Sequence, residues 1–252
     1  MGTFLLYILM VFALSSLAVV AMLLIRRHIG GDALRRNHEV AGFVYSVVGA
    51  IFAVTVALMI DTVHDEYMAA EKCAISETIQ ISTIYTMSDW FPENGGGPLK
   101  QKLKKYVDSV VGSEWPRMNN PMNRLASETE TAFLEVAVAL RAVKPDTVQQ
   151  QAVYQEMIQR FSSLSEFRYG RVYGSRFDLP FPIWFVVIFG GLITIGFSLF
   201  FTMHSTKSQA LMIFFVSAMI WSNILIIAEV HYPFNGITVT PPKAMLLLQS
   251  RF

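Results

Sequence analysis

The sequence predicts an all-α membrane protein with four transmembrane helices and a helical extramembrane domain inserted between spans 2 and 3. Hydrophobic residues make up 53% of the chain and charged residues only 15%, compared with roughly a quarter charged in soluble domains. Four uncharged stretches are each about the twenty residues that an α-helix needs to cross a bilayer. They are Thr3–Ile25, Val40–Ile60, Phe181–Met203 and Gln209–Ala228.

The first stretch is interpreted as a retained transmembrane helix and not as a cleaved signal peptide. No basic segment precedes it, and its apolar run is longer than the roughly 7–15 residues of a signal peptide. It ends on Arg26-Arg27 instead of on a small-residue cleavage site. We therefore assign residues 1–60 to transmembrane helices 1 and 2, and residues 181–230 to helices 3 and 4.

The arginines of the first loop favour one topology. The loop His28–Glu39 and its flanks carry four arginines, whereas the loop His204–Ser208 holds only Lys207. Short basic loops stay in the cytoplasm, which places both termini and the middle domain outside it. Other basic residues flank the third span and follow the fourth, and they leave the side of the membrane open: Arg168, Arg171, Arg176, Lys243 and Arg251.

The middle domain, residues 61–180, has helical patterning. The stretch from Asp61 to Ile84 contains no Gly or Pro, so the second transmembrane helix is expected to continue into this domain. The segment Pro92–Pro98, with three glycines, is expected to form a turn that ends that helix. Apolar residues at helical spacing then predict a helix over Leu99–Gly112.

Two more helix starts follow, and the C-terminal end is expected to be irregular. Ser127–Glu130 and Thr147–Gln150 both fit the capping-box pattern, in which a hydroxyl and a carboxylate or amide satisfy free backbone N–H groups. The domain is therefore predicted to contain three or four antiparallel helices continuous with spans 2 and 3. Residues 231–252 contain Pro233, Pro241 and Pro242 and are predicted to be an irregular segment and not a fifth span.

Catalytic signatures are missing from the sequence, so we expect no enzyme and no cofactor. His38–Gly42 begins like a zinc-protease helix but lacks the second histidine. Gly95–Gly97 is not a phosphate-binding loop, and no Gly-x-Ser-x-Gly motif occurs. Cys73 is the single cysteine, and a net charge of +1 gives no sign of a nucleic-acid partner.

A polar cluster is expected where the second and fourth spans leave the membrane on the same side: Asp61, His64, Asp65, Glu229 and His231. Three hypotheses remain open. The charges are solvated or paired with Arg176; or the three carboxylates tune ion entry and selectivity at a pore mouth and favour cations; or the two histidines and a carboxylate bind a divalent metal or sense protons.

The second span also carries a stripe of small residues: Gly42, Ser46, Gly49, Ala53 and Ala57. Small side chains allow transmembrane helices to pack closely. The stripe packs either against the other spans of the chain or against copies of itself around a symmetry axis. In the second case Phe43, Phe52 and Val56 could form an apolar constriction that gates a pore by dewetting.

A set of short motifs in a consistent order resembles the bestrophin-like bacterial membrane proteins, a family described as a domain of unknown function. The motifs are Asn37, Ala41-Gly42-Phe43, Gly49, Phe52-Ala53-Val54, Tyr67, Ala70, Glu77, Tyr106, Glu114-Trp115-Pro116, Arg168, Arg171, Pro180, Trp184, Pro233-Phe234 and Gly236.

This family is distantly similar to the bestrophins, which are pentameric ion channels whose second spans line the pore. The resemblance implies a multi-pass protein of the bacterial inner membrane that forms a homo-oligomer, a pentamer by analogy, and contacts lipid and inorganic ions. It makes Val40–Ile60 the pore helix, with Phe43, Phe52 and Val56 as neck residues. The acidic calcium clasp of bestrophins has no counterpart, because residues 232–252 contain no Asp or Glu.

Two other functions remain as alternatives to an ion channel. One is a non-conducting membrane scaffold or sensor whose helical domain binds a partner. The other is a metal-dependent membrane enzyme, which would need a metal at His64, Glu229 and His231.

Overall fold

The structure, a computed structural model, describes residues 2–29, 38–118, 127–174, 179–203, 205–232, 234 and 242–252. Throughout this part of the chain the regular elements are helices, which confirms the all-α prediction. They are α1 Gly2–Ile29, α2 His38–Met87, α3 Glu93–Ser109, α4 Trp115–Met118, α5 Ser127–Ala142, α6 Val148–Gly174, α7 Phe181–Leu199, α8 Thr206–Val230 and α9 Lys243–Gln249.

Four of these helices, α1, α2, α7 and α8, are long and apolar enough to cross a membrane. The prediction of four transmembrane helices is therefore confirmed, and the protein is an integral membrane protein. The apolar stretches of these helices lack the charged residues that would be costly in the hydrocarbon core of a bilayer, and α2 carries no charged residue between Glu39 and Asp61.

Helix α2 continues well beyond the membrane span, as the sequence predicts. It is one α-helix of 50 residues from His38 to Met87. A short 3₁₀ turn, Ser88–Trp90, follows it, and Phe91 then adopts an extended backbone with φ −109° and ψ 151°. This conformation is the one that a residue preceding a proline favours, so Pro92 helps to end the helical path of α2.

The glycine-rich segment after α2 was predicted to be a turn, and this prediction is wrong. Helix α3 begins at Glu93, so the three glycines and Pro98 lie inside its first turns. The N–H groups of Gly95 and Gly96 donate to the carbonyl oxygen of Pro92, each at 2.8 Å. A Cβ atom on Gly96 would overlap the carbonyl oxygen of Ser88, so this glycine is required for the close reversal between α2 and α3.

The contacts within the chain divide it into two compact units. The membrane unit is Met1–Asp65 with Asp178–His231, and the helical unit is Glu66–Phe177 with Tyr232–Phe252. In the membrane unit α1 runs antiparallel to α8. Tyr7 near one end donates to the carbonyl oxygen of Ser222 (3.3 Å), and Arg26 near the other end donates to Gln209 Oε1 (2.7 Å).

The helical unit has a continuous apolar core formed chiefly by α2, α3, α5, α6 and α9. Helices α5 and α6 begin where the sequence predicts. At the start of α6, Thr147 Oγ1 accepts from the N–H of Gln150 at 3.1 Å, and Gln150 Oε1 accepts from the N–H of Asp146 at 2.9 Å. Residues 175–178 lie outside the described part of the chain. The continuity of the domain with span 3 therefore stays a prediction.

The C-terminal segment contains a helix where an irregular segment was predicted. Helix α9 starts directly after Pro242, and it buries Met245 and Leu248 in the core of the helical unit. Pro242 occupies the N-cap position, where the missing N–H of a proline costs nothing. Pro233 and residues 235–241 lie outside the described part of the chain.

Candidate functional site

One face of α2 is left uncovered by the described residues from Phe43 to Asp65, and this is the helix that the family resemblance assigns to a pore. Bulky apolar side chains on this face are exposed in the single chain: Val44, Val47, Ile51, Val54 and Leu58. Asp61 and Asp65 continue the same face and are also exposed. The opposite face of the helix buries Val56, Met59 and Val63.

The three predicted constriction residues do not lie on one face, which corrects that set. Phe43 is 74% exposed, whereas Val56 is 6% exposed. Phe52 is half-buried against α7, and a Cβ atom built on Gly190 would lie 2.9 Å from Phe52 Cδ2. Phe43 and Phe52 are nine residues apart, or two and a half helical turns, and therefore point in opposite directions. A path lined by the free face of α2 would exclude Phe52 and Val56.

Among the residues that the structure describes, the other helices leave the small-residue stripe of α2 uncovered. Ser46, Ala53 and Ala57 are exposed, and Gly42 and Gly49 are half-buried. In the described ranges, a Cβ atom on Gly49 would meet nothing within 4 Å, and one on Gly42 would meet only Phe201, at 3.9 Å. Packing against the spans of the same chain therefore does not explain the stripe, and packing against another copy stays a prediction.

The predicted polar cluster is divided between exposed and buried positions. Asp61, His64 and Asp65 are exposed on α2, and Glu229 is half-buried in the last turn of α8. His231 is buried, and its Nε2 accepts from the N–H of Leu179 at 3.5 Å. This hydrogen bond joins the C-cap residue of α8 to Leu179, two residues before α7.

The structure does not assemble the predicted metal ligands. In the described ranges no group of three or more His, Cys, Asp or Glu side chains could hold a metal ion. His64, Glu229 and His231 are thus not brought together as a site for one metal. Arg176, the cation that was expected to pair with this cluster, lies outside the described residues.

A buried ionic network in the helical unit was not anticipated as a cluster. Arg168 and Arg171, one turn apart on α6, are both fully buried. Arg171 donates from Nε to Glu77 Oε2 (2.5 Å) and from Nη2 to Glu77 Oε1 (3.1 Å). Glu114 bridges the two arginines, since it accepts from Arg171 Nη2 at 2.7 Å and from Arg168 Nη2 at 3.0 Å. The network therefore connects three parts of the helical unit, namely α2, α6 and the turn that precedes α4.

Hydrogen bonds and aromatic rings complete the surroundings of the two arginines. Arg168 Nη1 donates to Glu130 Oε2 at 2.6 Å, and the phenol of Tyr106 donates to Glu77. The guanidinium of Arg171 lies 5.2 Å from the ring centre of Trp115, and that of Arg168 lies 4.9 Å from the ring of Phe133. Such contacts are favourable for a desolvated cation.

The surroundings of Arg171 and Tyr106 in the network shift the pKa of each group upwards. Burial alone would lower the pKa of Arg171, but the carboxylates of Glu77 and Glu114 outweigh burial and raise this pKa above its ordinary value. Burial, and then the negative charge of Glu77, raise the pKa of Tyr106 well above its usual range. Arg171 thus stays charged, and the phenol stays a protonated donor.

The π-helical turn Val110–Glu114 gives the network its central carboxylate. A π-helical turn has one more residue than an α-helical turn, and such turns are frequent at functional sites. Here it is followed directly by α4, and Glu114 at its end is buried. The network is a structural clamp, since both guanidinium groups are paired with carboxylates; among the described residues, Arg168 Nε has no hydrogen-bond partner.

Comparison with known proteins gives a family match. A family model described as the bestrophin-like domain matches residues 12–245 of this chain. The match runs through both units and includes all residues of the buried network as well as the free face of α2. Comparison with curated proteins and with solved structures gives no match.

Proposed function

The chain belongs to the bestrophin-like family, and from this premise we propose that it is an oligomeric ion channel in which α2 helices line a central path. The observation that supports the proposal most directly is the free face of α2. Its exposed apolar side chains lead without a break into Asp61 and Asp65 on the same face. Lipid would cover the apolar part, but carboxylates facing lipid are costly unless they are wet, paired or functional.

A water-filled path on an axis between several α2 helices accounts for both parts of this face. The apolar side chains would form a constriction that opens by wetting, with Phe43, Val47 and Val54 as its residues in place of Phe52 and Val56. Asp61 and Asp65 would form carboxylate rings at the mouth and favour cations. Ser46, Ala53 and Ala57, beside this face, would let a neighbouring helix approach closely.

The assembly that we propose is a homo-oligomer in the bacterial inner membrane, a pentamer by analogy with the bestrophins. Its partners are other copies of the chain, membrane lipid and the permeating inorganic ion. The protein has no enzymatic role in this proposal, and the helical unit holds the subunits in register.

Ion permeability of the reconstituted protein tests the selectivity role of the carboxylates. The double variant Asp61→Asn with Asp65→Asn should lower the cation-to-anion permeability ratio, because it removes the fixed negative charge of the mouth. Asp146→Asn, at an exposed position of the helical unit, serves as the matched control and should leave the ratio unchanged. An unchanged ratio in a conducting double variant would remove the carboxylates from ion selection. Purified protein that carries no current would favour the non-conducting scaffold.

A further inference from the structure

The free face of α2 has a regular repeat that extends into the helical unit. Exposed or half-exposed side chains recur at alternating steps of three and four residues. The positions are Val44, Val47, Ile51, Val54, Leu58, Asp61, Asp65, Met68, Lys72, Ile75, Ile79, Ser82 and Thr86. Alternating steps of three and four give the 3.5-residue period of a coiled coil, which keeps one seam of the helix facing a partner helix.

The part of this seam in the helical unit has no lipid to cover it. Met68, Ile75 and Ile79 lie beyond Asp61 and Asp65, which follow the uncharged span, yet about half of each side chain is exposed. Leu247 of α9 is 66% exposed, and it lines two adjoining grooves together with Ile75. Exposed apolar rows of this length on an extramembrane unit are typical of surfaces that bind another protein.

We infer that Met68–Thr86 of α2 is a self-association seam, which packs in parallel and in register against the same segment of other copies. This inference rests on the proposed homo-oligomer and names the surface that holds it together. A second copy is the occupant that the repeat fits, because it carries the same 3.5-residue period on a helix of the same length. It also enters the membrane in the same direction, so its α2 runs parallel.

Charge placement supports the parallel, in-register arrangement. Lys72 is exposed at a seam position, and Glu71 flanks the seam directly beside it. In a parallel bundle the Lys72 ammonium of one copy lies next to Glu71 of its neighbour, whereas an antiparallel pair centred on this segment would bring it near Ser82. A single lysine at a core position of a coiled coil specifies register and oligomeric state at some cost in stability.

Site-directed disulfide formation tests the seam in the full chain. In a Cys73→Ala background, Ile79→Cys should form a covalent dimer on oxidation, because seam positions of adjacent parallel helices approach one another. Met68→Cys should do the same. Val138→Cys on α5 is the matched control, since it is an apolar position of the same unit with 66% exposure that lies off the seam. It should remain monomeric under the same oxidation.

Other outcomes overturn the inference and are separable from failure of the proposed channel. Heterodimers between Met68→Cys and Thr86→Cys chains, without Ile79→Cys dimers in register, would show an antiparallel contact. A protein that is oligomeric by mass but forms no Ile79→Cys dimer, or forms as much Val138→Cys dimer, would refute the seam and leave the channel standing. Ile79→Cys dimers of a protein that does not conduct would refute the channel and leave the seam.

Discussion

Replacement of Glu77 by alanine removes the carboxylate that holds Arg171. Glu77 is fully buried and accepts hydrogen bonds from Arg171 Nε, Arg171 Nη2 and the phenol of Tyr106. The variant leaves the guanidinium buried with half of its ionic partners. Breaking a buried ion pair by removing one partner costs about 3–5 kcal/mol.

The lower end of that range is the better expectation for Glu77→Ala. Arg171 keeps its 2.7 Å bond to Glu114 and its contact with the ring of Trp115. A loss of about 3 kcal/mol in a chain of this size corresponds to a decrease in Tm of about 6–12 °C. Thermal unfolding of the full chain in detergent, followed by tryptophan fluorescence, measures this shift. Trp115 lies beside the network and reports on it directly.

Two further variants decide whether the network is responsible for the shift. Glu135→Ala removes a carboxylate that pairs with Lys102 and Lys105 on the surface, and it should change Tm little, because exposed ion pairs contribute little. Glu77→Ala combined with Arg171→Met should be less destabilised than Glu77→Ala alone, because no buried charge is left without partners. If Glu77→Ala lowers Tm no more than Glu135→Ala does, the reasoning is refuted.

Three other changes should follow from the same structure. Because the pKa of Tyr106 is raised in the folded protein, its contribution to stability is complete below a pH of about 10, the ordinary pKa of tyrosine. This contribution is lost as the pH rises further. Tyr106→Phe should abolish the resulting decrease in Tm when Tm is measured against pH. Arg171→Lys should lower Tm, because an ammonium group cannot make the two side-by-side hydrogen bonds that the planar guanidinium donates to Glu77. Gly96→Ala should lower Tm through overlap with the Ser88 carbonyl oxygen, whereas Gly112→Ala, with open space around its Cβ position, should not.

The membrane architecture could be predicted from the sequence because its causes are local. Each span is identified by its length and by the absence of charge, and α2 continues past Asp61 because no Gly or Pro interrupts it. The start of α6 follows from the hydroxyl of Thr147, whose hydrogen bond forms within one turn. Signals of this kind need no knowledge of the tertiary structure.

Other features depend on tertiary contacts and were predicted wrongly or incompletely. Gly95–Gly97 reads locally as a turn, but Gly96 is there because α3 packs against the carbonyl oxygen of Ser88. Phe52 and Val56 were grouped with Phe43 by residue type, whereas the direction of each side chain depends on which face of α2 the other helices cover.

The buried network could not be predicted as a cluster, although its residues were recognised as family markers. Glu77 and Arg171 are 94 positions apart, and only the fold brings them together. One local signal was present: Glu77 lies on the same helical face as the buried residues Ala74 and Ile81. A charged residue on an apolar face needs a buried partner of opposite charge, and the two arginines of α6 are that partner.

Images of single particles of the purified full chain test the central claim most directly. The proposed function predicts a closed ring of subunits with the α2 helices around a central axis and their exposed face, with Asp61 and Asp65, toward that axis. Monomers, or dimers without a central path, would contradict the claim that α2 lines an ion pathway.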